Sequence, residues 1–144
     1  MSGKMPILKI HLRSIAQATE NPEKVGLAME FASGTDEVAI EETEGHFGNP
    51  IIIFEVRLSR ARDIRQLVQR LDDAGILELV MDQCQERLDN ECNLYFRLDK
   101  QKAFLEELAL AEDKDVIAVT MKIAAYPAKR ENALAAIDQW LSAH

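Results

Sequence analysis

The stretch Ile7-Leu8-Lys9-Ile10-His11-Leu12-Arg13-Ser14-Ile15-Ala16 carries the reading on which the fold turns. Leu8, Ile10 and Leu12 alternate with Lys9, His11 and Arg13, the period of two that puts one row of a strand in a core and the other in solvent. Three further stretches repeat the pattern. Ile51 to Leu58 reads as a well-buried strand; Cys92 to Leu98 sets Leu94, Phe96 and Leu98 against Asn93, Tyr95 and Arg97; Val116 to Ala124 turns Ile117, Val119, Met121 and Ile123 inward. Val38 and Ile40 suggest a shorter strand, and Leu108 to Leu110 another before the polar turn at Glu112 to Asp115. The loop Gly45-His46-Phe47-Gly48-Asn49-Pro50 separates two of these strands.

Helices fill the intervals. Asn21 caps one that starts at Pro22, carries Val25, Ala28, Met29 and Ala32 inward, and stops at Gly34. Ser59 is placed to cap a second, with Ala61, Ile64, Leu67, Val68 and Leu71 inward and Gly75 as its break. Ile76 to Leu88 forms a third, Asp99 caps a short one through Leu105, and a last helix after Pro127 buries Ala133, Leu134, Ile137 and Leu141. The order β-α-β-β-α-α-β-α-β-β-α predicts an α+β fold: a mixed, largely antiparallel sheet with helices packed on one face and the other face at least partly open. No linker-like stretch or repeat divides the 144 residues, so residues 1–144 are expected to form a single domain.

With 17 Lys and Arg against 25 Asp and Glu the formal charge is −8, which excludes a protein that coats nucleic acid by bulk electrostatics. No apolar run approaches the length of a membrane span and the start lacks a signal-like apolar region, so a cytoplasmic location is expected. Cys84 and Cys92 are too few for a disulfide framework or a structural zinc site and read as packing residues. His11, His46 and His144 do not cluster, no nucleophile, phosphate-loop or metalloprotease motif occurs, and the pairs Glu41-Glu42, Asp72-Asp73 and Glu106-Glu107 read as solvated surface rather than acid-base or magnesium groups. No enzyme, no metal and no cofactor is expected.

The charges are unevenly spread. Five acids and no base lie between Asp36 and Glu44, whereas Arg57, Arg60, Arg62 and Arg65 face only Asp63. Arg60 and Arg62, Lys100 and Lys102, and Lys129 and Arg130 fall in the first turns of three predicted helices, where cations oppose the macrodipole but where exposed amides and cations together suit an anion such as phosphate. The outward rows of the strands collect Lys9, His11, Arg13, Arg57, Asn93, Tyr95, Arg97, Thr120 and Lys122, with Glu55 among them and Glu37 and Glu41 on a neighbouring strand counting against a basic platform. An aromatic among basic and amide side chains is the composition of a single-stranded RNA platform, although polar outer faces are also ordinary for antiparallel sheets. Phe47 is a stacking candidate if its loop does not fold it back on the core.

Four motifs in order, Ala18-Thr19-Glu20-Asn21 with Glu23-Lys24-Val25, Glu44 to Pro50, Cys92 to Gln101, and Ala125-Tyr126-Pro127-Ala128-Lys129-Arg130, span nearly the whole chain. In these the sequence resembles an archaeal RNA-binding family described as predicted exosome-associated subunits; where that family has His, this chain has Gln17. The resemblance implies a ribosomal protein L5-like fold, RNA association, a place in RNA processing and no established catalytic residue. Together these readings select Phe47, Arg57, Arg60, Arg62, Asn93, Tyr95, Arg97, Lys100, Lys129 and Arg130 as RNA-binding residues, with RNA and subunits of an RNA-processing complex as partners. The alternative is a homodimeric interaction module that recruits a partner through its acidic surface.

Overall fold

Strand β1 (Ile7–Ala16) lies at the centre of a five-stranded sheet, flanked by β3 (Pro50–Leu58) and β5 (Val116–Ile123), with β2 (Ala39–Glu44) and β4 (Asn93–Asp99) at the two edges in the order β2-β3-β1-β5-β4. These elements come from a computed structural model that describes residues 5–45, 47–111 and 115–142; His46, residues 112–114 of the polar turn, and His144 lie outside them. Every neighbouring pair is antiparallel, so the sheet expected to be mixed but largely antiparallel is antiparallel throughout. The reason is topological. Parallel neighbours need a crossover between them, and here each strand lies beside one running the opposite way.

The alternation sorts the two faces. Ile10, Leu12, Phe54, Val56, Leu94, Phe96, Val119 and Met121 are buried on one side. That side is covered by α1 (Pro22–Ser33), α2 (Ala61–Asp73), α3 (Ile76–Asp82) and α6 (Arg130–Ser142), which contribute Met29, Ile64, Leu67, Leu71, Val80 and Ile137 to one core. Helix α1 starts as its residues dictate: the Asn21 side chain accepts from the Glu23 N–H at 3.0 Å, and Gly34 closes the helix at φ 79°, a conformation a side chain would strain. Arg70 of α2 lies over the Phe31 ring and donates to the carbonyls of Phe31 and Ala32, satisfying acceptors at the end of α1. Burial lowers the pKa of this guanidinium from its ordinary value.

Several expectations shift in detail. The register slips between Ile7 and Lys9, so Ile7 is buried and Leu8, expected inward, is 53% exposed. Arg60, not Ser59, is the N-cap of α2, without a side-chain hydrogen bond, and Ala61 is exposed. The helix expected over Ile76 to Leu88 breaks at Gln83 into α3 and α4 (Cys84–Arg87), and Leu88, which closes α4, bridges Leu94 on the outer edge of β4. Leu108 to Leu110 forms no strand; a single bridge joins Leu110 to Leu98, where the Asp99 N–H donates to the Ala109 carbonyl at 2.8 Å and the Ala111 N–H to the Arg97 carbonyl at 2.9 Å. In α6 the buried face runs through Ala133, Ile137 and Trp140, with Leu141 turned outward. Both cysteines are free: Cys92 is fully buried, and burial pushes the half-buried Cys84 thiol up.

One buried cation ties the far ends of the strands together. Lys100, 4% exposed at the start of α5 (Lys100–Phe104), sets its Nζ 2.7 Å from Glu20 Oε2, 2.7 Å from Asp115 Oδ1 and 3.0 Å from the Ile15 carbonyl. All three ammonium donors are thus occupied by groups at the end of β1 and the start of β5. Burial raises the Asp115 pKa, but hydrogen bonds from Lys100 and Gln101 outweigh it and hold the carboxyl below its ordinary value. A depressed carboxylate pKa contributes stability above the unfolded value that fades as pH falls through the folded one. Lys100→Met is expected to lower unfolding free energy by about 2–3 kcal/mol at neutral pH, since it strands two carboxylates. It should also flatten the acid limb of stability. Urea unfolding of both proteins across a pH series measures the two effects together.

Candidate nucleic-acid interface

The antiparallel register arranges the open face in rows. Lys9, Lys122 and Asn93 form one; Arg57, His11, Thr120 and Tyr95 the next; Glu55, Arg13, Ala118 and Arg97 a third. Five Lys or Arg side chains therefore share these three rows with one carboxylate, while Glu41 of β2 and Asp99 of β4 lie on the same face one row further on. Glu55 is already engaged: its Oε2 lies 2.9 Å from His11 Nε2 and 3.1 Å from an Arg57 Nη. The His11 hydrogen bond, opposed by burial and helped by nearby Arg57 and Arg13, lowers the Glu55 pKa. Among the described residues, Arg13 and Arg97 make no ion pair or hydrogen bond through their side chains, and both are exposed.

Tyr95 is held rather than free-swinging. Its hydroxyl donates to Asp89 Oδ2 at 2.9 Å, while Asp89 Oδ1 accepts the backbone N–H of Glu91 and of Asn93, each at 2.9 Å. One carboxylate thus shapes the turn that enters β4 and aims the ring two residues further on. Burial pushes the Asp89 pKa up, but the N–H of Asn93 and the Tyr95 hydroxyl more than offset it, so the carboxyl is held below its ordinary value; the same bond raises the Tyr95 phenol. The ring remains 45% exposed, on the wall of a groove of about 500 Å³ that runs between the segment Glu86 to Asp89 and the row bearing Ala118 and Arg97.

The ten residues selected from sequence do not form one cluster. Arg57, Asn93, Tyr95 and Arg97 share the open face. Arg60 and Arg62 are exposed where β3 passes into α2, and Lys129 is exposed ahead of α6; the register brings the end of β3, the end of β5 and the start of β4 to the same end of the sheet. Phe47 is 85% exposed but lies in the β2–β3 turn at the opposite end. Lys100 is also at that end, and its three oxygen partners leave no donor for a phosphate. Arg130 is tied down as well: its guanidinium donates to the Leu88 carbonyl at 3.2 Å and to the Gln85 carbonyl. Two of the three helix starts thus change meaning. Asp99 caps α5 by accepting from the Lys102 N–H at 2.9 Å, and Arg130 clamps α4 to α6.

Tyr126, 97% exposed between β5 and α6, is an aromatic that periodicity could not single out because it belongs to no strand row. Ala118 and Asp89 also escaped notice, since a small residue and a turn acid gain meaning only from their neighbours. Among the described residues no three His, Cys, Asp or Glu side chains are grouped to hold a metal ion, and no helix is long and apolar enough to cross a membrane.

Fold and face together define an α+β protein with a helix-backed antiparallel sheet and a basic, tyrosine-bearing open surface. A family model described as RNA binding matches residues 9–123, and the chain belongs to that family. It is 36% identical over 152 aligned positions to the RNA-binding protein PAB1135 of Pyrococcus abyssi, covering 98% of this chain and 97% of that protein. To the uncharacterized protein MJ0213 of Methanocaldococcus jannaschii it is 35% identical over 120 residues, 75% of this chain and 78% of that one. Among solved structures it is similar to Mth689, a DUF54 protein from Methanothermobacter thermautotrophicus, with a TM-score of 0.79 and 34% identity over 94% of this chain and 98% of that one.

If Asp89 holds the Tyr95 hydroxyl, Asp89→Ala should return the phenol toward its ordinary, lower pKa. Ultraviolet titration in a Tyr126→Phe background, which leaves one tyrosine to follow, is the measurement. An unchanged titration would remove the hydrogen bond from the account.

Proposed function

We propose that this protein binds RNA, without catalysis, through the open face of its sheet. The observation that carries the reading is the register: it sets Lys9, Arg13, Arg57, Arg97 and Lys122 on one surface while the only carboxylate among those rows is engaged by His11 and Arg57. On a chain of formal charge −8 such segregation confines phosphate attraction to a single patch, extended at one end of the sheet by Arg60, Arg62 and Lys129. Family membership and the name of the Pyrococcus abyssi relative support the same class. The finer reading, an accessory role in RNA processing alongside an exosome-like complex, in the cytoplasm and on an L5-like scaffold, rests on the family resemblance.

The edge opposite β4 favours a second interaction. All six residues of β2 are exposed, three of them Glu, and Ile40 and Leu27 are exposed beside a groove flanked by Glu23 and Glu30. A free, acidic edge with apolar contacts suits a basic protein partner, either a complex subunit or a basic region of a second copy. Size exclusion and pull-down with Ile40→Glu and Leu27→Glu variants would show assembly lost while RNA binding is kept.

Titration of labelled RNA over a range of salt concentrations tests the main reading. Each phosphate contact adds about 0.7 to the slope of log affinity against log salt for a single strand. Arg57→Ala and Arg97→Ala should therefore each weaken binding and reduce the slope by about that amount. Glu55→Gln, which removes the one acid among the basic rows, should tighten binding at low salt. Absence of RNA binding at low salt, or variants indistinguishable from wild type, would count against the open face.

A further inference from the structure

The row that crosses the middle of the open face has an unusual composition. Arg13 on β1 and Arg97 on β4 stand directly opposite Ala118 of β5, one on each side. Neighbouring strands are about 4.8 Å apart, so the two arginines rise about 10 Å from one another over a floor that has only a methyl group. Ala118 is itself exposed, and neither guanidinium has a side-chain hydrogen bond or ion pair among the described residues. A phosphate group fits that interval and can accept from both forks at once. One row away, Tyr95 sits diagonally from Ala118, its ring exposed and its hydroxyl fixed by Asp89. Diagonal neighbours on a sheet face are roughly 7–8 Å apart, a span that a nucleotide's phosphate and its own base can bridge.

Resting on the RNA-binding reading above, we propose that Arg13, Ala118, Arg97 and Tyr95 form a site for one unpaired nucleotide, the phosphate over Ala118 and the base stacked on Tyr95. The groove beside the ring gives the base room. Of the groove's two carboxylates, Asp89 already accepts from the N–H groups of Glu91 and Asn93 and from the Tyr95 hydroxyl, and Glu86 is exposed on the wall. What Tyr95 and the two arginines recognise is an exposed base plane and a phosphate, not a base's identity. A paired base presents no plane to Tyr95, so the site selects single strands over duplex.

Binding of a labelled oligouridylate and of a blunt RNA duplex, compared by fluorescence anisotropy at one salt concentration, tests the site. Wild type is expected to prefer the oligouridylate. Tyr95→Ala should lose about tenfold for the single strand and leave the duplex unchanged, while Tyr95→Phe, which keeps the ring, should recover most of the affinity. Ala118→Glu, which offers Arg13 and Arg97 a carboxylate in place of phosphate, should lose more than the equally bulky Ala118→Gln. Thermal melting checks that each variant folds. Should the single strand bind wild type, Tyr95→Ala and Ala118→Glu alike while Arg57→Ala weakens it, the nucleotide site is overturned and the open-face reading stands. Equal affinity for duplex and single strand overturns the site in the same way. No binding of either RNA by wild type overturns both.

Discussion

The pairing of β1 between β3 and β5 is the constraint on which both faces depend. A slip of one residue would carry Ile10 and Leu12 into solvent and drive Lys9, His11 and Arg13 against the helices, so the buried row pins the basic one. The two cannot vary independently. Burying an unpaired lysine or arginine is far costlier than exposing a leucine, which makes the correct register the only one with a large free-energy advantage. Lys100 reinforces it at the far end by joining the carbonyl of Ile15 to Asp115 where regular β1–β5 pairing stops, and Ser14 does the same with a hydroxyl that donates to the Val116 carbonyl at 2.9 Å. The positions of the cations on the open face are therefore a by-product of core packing.

The sheet's two edges are treated differently. The outer side of β4 is covered at both ends, by Leu88 bridging Leu94 and by Leu110 bridging Leu98, and the first of these segments also supplies the wall beside Tyr95. Edge protection and construction of the groove are then one event: the break of the helix at Gln83 frees Leu88 for the bridge and brings Asp89 within reach of the tyrosine. Among the described residues the β2 edge has no such cover, and it carries Glu41, Glu42 and Glu44 instead. Charge there discourages strand-to-strand association of identical copies, since acids would face acids.

Much of this was legible in the sequence, for reasons that also mark where legibility ends. Alternation placed the strands and assigned Lys9, Arg57, Tyr95 and Arg97 to the outward rows, because a period of two fixes side without any knowledge of pairing. Asn21, Pro22 and Gly34 bounded α1 through local hydrogen bonding and backbone freedom. What failed was everything that needs a partner from elsewhere in the chain. Lys100 looked like an anion-binding cation at a helix start, and only the approach of Glu20 and Asp115 makes it a buried clip. Arg130 looked the same until the carbonyls of α4 and Leu88 claimed it. Leu8 was turned outward by a register shift that no pattern announces.

This contrast bears on how positive charge should be interpreted in an acidic protein. A cation followed by a helix can serve the fold or a ligand, and the difference is whether its donors are filled from within. Lys100 and Arg130 have their donors filled, so their removal would act on stability first. Arg13 and Arg97 stand where no described oxygen reaches them, on either side of a residue too small to hold anything itself. Exposed guanidiniums are well solvated and cost the fold little, and core packing holds these two about 10 Å apart over a bare floor. An anion entering between them would meet both at once, an affinity that a scattered distribution of the same charges would lack.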